Sequence, residues 1–233
     1  MTAAESGASE SADEKMAKER EIKLKIEDLP ALRRALKKLG AHVAKPRVHE
    51  RNVLFDTPEF TLAKGEQLLR IRTETPATGL RKSRPHEIVT FKGPNPAATS
   101  GKSERHKVRE EIELEISDAK ALAKIFERLG MRESFRYEKF RTTYRLPASR
   151  GWARRLLIEI DETPIGIFLE LEGPAKAIDR AAQALGFEKK EYILANYMVL
   201  YREYCLRRGE EPGDMLFARK KSGDKSEKIK FFS

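Results

Sequence analysis

The chain has 233 residues, 36% of them charged and 39% apolar, enough for one sizeable core or two small ones. No run approaches the ~18–20 apolar residues of a membrane span, and the first residues lack the basic-then-apolar order of a secretion signal. A lone Cys205 excludes an internal disulfide, so a cytoplasmic location without a membrane partner is expected, while the net charge of +10 points to an anionic partner such as phosphate or nucleic acid.

Residues 1–18 are mostly Ala, Ser, Glu and Lys without periodicity and read as a disordered N-terminal segment. They carry −2, residues 207–233 carry +3, and 19–206 carry the remaining +9, so the excess belongs to the folded part. That part opens on Glu19-Arg-Glu-Ile-Lys-Leu-Lys-Ile26, where charged and apolar residues alternate as in a strand. Glu19, Glu21, Lys23 and Lys25 then share one face, and Ile22, Leu24 and Ile26 the other. Asp28 is placed to cap a helix that Pro30 enters and Gly40 ends, with Leu32, Leu36 and Leu39 as its apolar stripe.

This strand-then-helix unit returns at a constant offset. Glu111-Ile-Glu-Leu-Glu-Ile-Ser-Asp118, running to Gly130, repeats Glu21 to Asp28 running to Gly40, and Phe168-Leu-Glu-Leu-Glu172, running to Gly186, is a shorter third copy. Such self-similarity predicts two halves of one sheet on a common plan. Between the copies lie further alternating runs with charged rows: Arg70 with Arg72, Thr90 with Lys92, Arg109 with Glu111 and Glu113, Lys139 with Arg141, Glu159 with Asp161, and Glu170 with Glu172. Asn52 to Asp56 makes an eighth strand.

Residues 73–85, 93–106 and 147–151 hold the Gly and Pro of loops. The last element, Glu191 to Arg207, carries Ile193, Tyr197, Leu200 and Tyr204 at helical spacing, a stripe read as packing. From 208 to 233 the chain is polar and basic, as a flexible tail would be, which leaves one folded domain over 19–207.

The fold class is thus α+β, with amphipathic helices outside eight antiparallel strands, a number sufficient to close a β-barrel. Leu24, Ile71, Phe91, Ile112 and Ile160 would face the helices, and the charged rows would meet inside. A dry interior cannot hold so many charges. Two readings of the rows stay open: a wet sheet face with cross-strand ion pairs, or a wet tunnel that binds charged ligands. In the tunnel, Arg and Lys would hold phosphate oxygens, and carboxylates without His or Cys would suit Mg²⁺ or Mn²⁺ bridged to phosphate.

Glu19-x-Glu21-x-Lys23 resembles the ExExK signature of the CYTH superfamily, the triphosphate tunnel metalloenzymes. The likeness continues in order through Asn52-Val-Leu-Phe-Asp-Thr-Pro58, Leu68-Leu-Arg-Ile-Arg72, Thr90-Phe-Lys-Gly-Pro94, Arg109-Glu-Glu-Ile-Glu113, Lys139-Phe-Arg141 and Ile160-Asp-Glu-Thr-Pro164 to Gly173. It implies a closed eight-stranded antiparallel barrel around a triphosphate and a divalent metal, Mg²⁺ or Mn²⁺. The spellings Asp161-Glu-Thr-Pro and Leu169-Glu-Leu-Glu-Gly look most like the class IV adenylyl cyclase set. Known activities of the superfamily make ATP, tripolyphosphate or thiamine triphosphate the expected substrate, with hydrolysis or cyclisation to cyclic AMP as the reaction. The superfamily's Lys-Ser-Tyr is here Ala195-Asn196-Tyr197, so that basic contact is either missing or supplied by Lys189 or Lys190.

On this reading Lys23, Lys25, Arg70, Arg72, Lys92, Arg109, Lys139 and Arg141 grip phosphates, and Glu19, Glu21, Glu111, Glu113, Glu159, Asp161, Glu170 and Glu172 hold metal. Glu21, Lys92, Arg72 and Glu113 are the candidates for the catalytic centre. The competing reading is a non-catalytic module for polyphosphate or RNA, for which a charge of +9 would suffice. Nucleic acid is not expected, because base readers use exposed aromatics and the aromatics here, 8% of the chain, sit mostly in apolar rows. Phe55, Phe135 and Trp152 could stack on a base, but each reads more readily as packing.

Overall fold

A computed structural model describes residues 18–77, 84–94 and 106–218. Eight strands form a closed antiparallel barrel: β1 (Lys18–Ile26), β2 (His42–Asp56), β3 (Leu68–Pro76), β4 (His86–Lys92), β5 (Lys107–Ile116), β6 (Arg132–Arg145), β7 (Leu157–Thr163) and β8 (Gly166–Glu172). Their order around the barrel is β1-β5-β4-β3-β2-β6-β7-β8. Helices α1 (Leu29–Lys38), α2 (Thr61–Lys64), α3 (Ala119–Arg128), α4 (Ala175–Ala184) and α5 (Tyr197–Arg208) surround it. Among the described residues no helix is long and apolar enough to cross a membrane.

The repeat in the sequence is a repeat in the fold. Asp28 and Asp118 accept from the backbone N–H of Ala31 and Ala121 at 2.8 and 2.9 Å, so each copy starts its helix with the same cap. Gly40 and Gly130 close those helices at φ of 74° and 84°, a left-handed turn that costs glycine little. Outside β1, β7 and β8, the row Ile22, Leu24, Ile158, Ile160, Leu169 and Leu171 packs beneath Leu32 and Leu36 of α1 and Ala177, Ile178, Ala181 and Ala182 of α4. The three alanines let α4 lie close to the sheet, and each fully buried Ile or Leu contributes about 1.5–3 kcal/mol.

The second half is covered differently. Phe126 of α3 packs edge-on against Phe55 of β2, with ring centroids 5.1 Å apart. Because α3 lies over β3 and β4 rather than β5, Ile112, expected beneath a helix, is 41% exposed.

Three boundaries differ from the sequence reading. β2 starts ten residues before Asn52, and Pro46 sits where its register with β6 shifts, at a position that needs no ladder N–H. β3 runs to Pro76, past the expected loop start at Thr73; residues 78–83 of that loop and 95–105 of the one after Gly93 lie outside the described residues. Helix α5 starts only at Tyr197, where Asn196 accepts from Val199 N–H at 3.0 Å, while Ile193 exchanges backbone hydrogen bonds with Lys23 at 2.9 Å each.

The ordered chain also continues past the expected boundary at 207. Met215 is completely buried, donates to the carbonyl of Arg136 and accepts from Glu138 N–H, both at 2.9 Å. It thereby fills the edge of β6 before Phe140, where the pairing with β7 begins. Residues 1–17 and 219–233, which cover nearly all of the expected disordered segment and most of the expected tail, lie outside the described residues.

Candidate active site

Alternation along each strand turns one charged row into the barrel. Register then fixes which charges meet: Lys23 lies opposite Glu170, Glu21 opposite Glu172, Glu19 opposite Arg109, Lys92 opposite Glu111, and Arg141 opposite Asp161. The result is a tunnel cavity of about 240 Å³. Its acids stand on contiguous strands β7, β8, β1 and β5, as Glu159, Glu170, Glu172, Glu19, Glu21, Glu111 and Glu113. Arg70 and Arg72 on β3 stand across from them, and Lys139 and Arg141 on β6 adjoin β7, where Arg141 pairs with Glu159 and, at 2.6 Å, with Glu170 of β8.

The basic wall is held in place from the side. Arg70 donates to Tyr137 Oη at 3.2 Å and to Thr90 Oγ1 at 3.1 Å, and Arg72 donates to Glu113 Oε1 at 3.0 Å. Lys139 donates to Asp161 at 2.8 Å, Arg141 grips the same carboxylate with a two-pronged fork at 2.7 and 2.6 Å, and Tyr197 Oη donates to it at 2.7 Å. A bidentate fork fixes the guanidinium plane as well as its charge.

On the acidic wall, Lys92 Nζ bridges Glu19 at 2.6 Å and Glu111 at 2.9 Å, and Glu21 pairs with Lys23 at 3.2 Å and Lys107 at 3.0 Å. Burial alone would raise the Glu21 carboxyl, but Lys23 and Lys107 outweigh it and hold the group well below the usual range. Glu172 goes the other way, pushed up to about 8 by burial and by the charges of Glu159 and Glu19. Glu159 and Glu111 are also raised, burial being the first cause in each. Lys107 is brought down to about 8 by burial, aided by Lys23 and Arg109 against Glu21.

The CYTH domain family matches residues 17–197. This chain belongs to the CYTH family. It is 31% identical over 191 residues to a Methanocaldococcus jannaschii protein named "Putative adenylate cyclase MJ0240", covering 77% of this chain and 96% of that one. The solved structure of PH1819 from Pyrococcus horikoshii aligns with a TM-score of 0.61 at 22% identity, over 80% of this chain and 99% of that one. A Hippeastrum protein, named as a "putative adenylyl cyclase" that reveals a dominant triphosphatase activity, aligns with a TM-score of 0.51 at 18% identity, over 83% and 97% of the two chains. These two structures share the CYTH fold.

Of the residues expected in the CYTH tunnel, all line the cavity except Lys25 and Asp161. Lys25 is exposed, donates to the carbonyl of Ile165 at 2.9 Å and covers the Phe168 ring, so it braces the β7–β8 turn. Asp161 is fully buried behind the wall, with its oxygens already taken by Lys139, Arg141 and Tyr197. Its geometry is that of a support for cations. Lys189 and Lys190 pair with Asp179 and Glu188, and neither reaches the tunnel, so the position of Asn196 gains no basic substitute from them.

Sequence reasoning passed over Lys107, Tyr137, Asn196 and Tyr197, all of which line the cavity, and Glu50 behind it. Lys107 shares the row of Arg109 and Glu111 and was legible by parity. The stripe on α5 does pack, yet its first member, Tyr197, is also part of the wall.

The donor set fits a hard divalent cation. Glu19, Glu111, Glu159 and Glu172 offer only oxygens, and the mutual repulsion of their charges is what such an ion relieves. Among the described residues no three acidic side chains, His or Cys converge into a preformed cage.

Leu54, Leu68, Arg109, Phe135, Asn196 and Met198 also line a second cavity, of about 860 Å³. Its further walls include Phe55, Phe60, Val199, Pro212 and Gly213. Phe55 and Phe135, weighed as stacking residues, both face it; Trp152 lies elsewhere, with the guanidinium of Arg180 over its ring at 4.6 Å.

Proposed function

We propose that this CYTH protein is a divalent-cation-dependent enzyme that cleaves the triphosphate group of an organic triphosphate inside the tunnel. The observation that carries the reading is the meeting of two walls in one small cavity, with Arg70, Arg72, Lys139 and Arg141 set against Glu19, Glu111, Glu159 and Glu172. A triphosphate needs the first wall, and its counter-ion the second. Phosphoryl transfer depends mainly on positioning and charge neutralisation, which such walls supply.

In this reading Lys23, Arg70, Arg72, Lys92, Arg109, Lys139 and Arg141 bind phosphate oxygens, with Arg72 and Lys92 closest to the reacting group. Glu19, Glu21, Glu111, Glu113, Glu159, Glu170 and Glu172 hold and surround Mg²⁺ or Mn²⁺ or orient the attacking oxygen. When bound, the ion would neutralise phosphate charge and stabilise the leaving oxygen. Asp161 and Tyr197 keep the cations at fixed angles.

The second cavity, with apolar walls such as Phe55, Phe60 and Phe135 beside charged Asp56, Lys64 and Arg202, favours a substrate with an organic group, such as ATP or thiamine triphosphate, over bare tripolyphosphate. The names of the Methanocaldococcus and Hippeastrum proteins support the same class and offer two reactions. If water attacks, the triphosphate is hydrolysed; if the ribose 3′-hydroxyl of ATP attacks, cyclic AMP and pyrophosphate form. Incubation of pure protein with ATP, tripolyphosphate or thiamine triphosphate, with and without Mg²⁺ or Mn²⁺, separates these outcomes by their products. Tight binding of all three without any product would favour the binding-module reading instead.

A further inference from the structure

Glu50, on the inward row of β2, is 0% exposed, and neither of its carboxylate oxygens is hydrogen-bonded by any described residue. Three cations stand around it: Lys139 Nζ at 3.4 Å, Arg141 Nε at 3.8 Å and Arg72 Nη1 at 3.9 Å. All three side chains line the tunnel cavity, whereas Glu50 lies behind them. Asp161, buried as deeply, offers the contrast, because it is hydrogen-bonded to Lys139 and Arg141 at 2.8 Å or less.

An acid that served only to fix cations would be bonded to them as Asp161 is, since a buried charge without hydrogen bonds is costly. Glu50 instead acts on three cations through space. Its charge has the same sign as the phosphates that would lie on their other side, and at an effective dielectric of about 20 a unit charge roughly 7 Å away changes affinity by more than tenfold.

We propose that Glu50 is a positioning residue, a built-in counter-anion that competes with bound phosphate for Arg72, Lys139 and Arg141 and keeps the grip of the tunnel weak enough for product to leave. The inference rests on the triphosphate reading of the site. Without such a brake, a wall of four cations in a narrow tunnel would hold cleaved phosphate about as firmly as substrate.

The test is calorimetric titration of the full chain with inorganic tripolyphosphate, without divalent cation, comparing wild type with Glu50→Gln. The variant is expected to bind at least about tenfold tighter, with a steeper loss of affinity as salt rises. A merely structural acid predicts the opposite sign, because its loss would let the three cations drift apart. Unchanged or weaker binding by a folded variant overturns the proposal. If Glu50→Gln does not fold, Glu50→Asp, which draws the charge back by one methylene, is expected to bind roughly two- to threefold tighter, and weaker binding there overturns it equally. Wild type that binds neither tripolyphosphate nor ATP, with or without Mg²⁺, sinks the triphosphate reading itself; wild type that binds tripolyphosphate beside an unchanged variant sinks only the role of Glu50.

Discussion

Arg72 and Glu113 meet inside the tunnel, Nη2 to Oε1 at 3.0 Å, although β4 lies between their strands. The contact spans a whole strand because both side chains are long and inward; Nη1 and Nε of Arg72 stand 3.9 Å from Glu50 and 3.5 Å from Glu74, and the side chain lines the cavity. Arg72→Ala should therefore cut turnover of ATP and of tripolyphosphate alike, by about 100-fold or more, since the oxygens it would grip are common to both. Steady-state kinetics on the two substrates checks this. If tripolyphosphate hydrolysis survives while ATP turnover is lost, Arg72 reads the nucleoside rather than the phosphates.

Glu21 joins Lys23 and Lys107 in one buried cluster, so Glu21→Gln should do two things. Metal-dependent turnover should fall by orders of magnitude, and the fold should lose about 3–5 kcal/mol because buried Lys107 loses its carboxylate partner while Lys23 keeps only Glu170. The melting temperature and a Mg²⁺ or Mn²⁺ titration of activity measure the two effects. A variant with unchanged stability and unchanged metal response would contradict the assignment.

Glu172 gives the pH dependence. Its carboxyl rises from the ordinary 4.5 to about 8 in the fold, so the folded protein keeps a proton that the unfolded chain releases. The stability this contributes is complete below about pH 4.5 and is lost as pH climbs through about 8. In metal-free buffer, Glu172→Gln should therefore gain on wild type as pH rises from 5 to 9, at about 2–4 °C in melting temperature per kcal/mol. Added Mg²⁺ should restore the wild type at the alkaline end. A melting difference that does not change with pH would show that the repulsion is relieved in some other way.

The segment that ends on Met215 and Phe217 lies beyond the matched family region, yet it backs the tunnel. Met215 packs in one cluster with Phe135, Tyr137 and Tyr197, and Tyr137 in turn holds Arg70. Met215→Ala should cost about 2–5 kcal/mol and lower turnover through Arg70. Thermal melts and kinetics of this variant, beside truncation after Gly209, check it; full activity and stability after truncation would contradict the buttressing role.

Much of this site was legible because a closed barrel converts two-residue alternation into an inside and an outside. The rows of Glu19, Arg70, Lys92, Arg109, Lys139 and Glu170 could be read strand by strand. Glu50 could not, because in β2 the outward row carries Arg47, His49 and Arg51 and the inward row Val48, Glu50 and Asn52, so neither row looks apolar. Stacking covers part of the outer row, with Arg47 over Phe140 at 3.7 Å and Phe217 against the same ring at 5.2 Å, while Arg51 is exposed. Asp161 has the correct parity for a ligand, and only its depth and its hydrogen bonds show that it supports others. Ile112 was misread because parity reports which side a residue faces and says nothing of what covers that side.

The most direct test of the two-wall account is ³¹P NMR of wild-type protein incubated with ATP, with thiamine triphosphate and with tripolyphosphate, each with Mg²⁺ or Mn²⁺ and again with excess chelator. Cleavage of at least one triphosphate to smaller phosphates, abolished by chelator and restored by the ion, is the predicted result. Undiminished triphosphate signals in the presence of either ion, or cleavage that chelator leaves untouched, would contradict it.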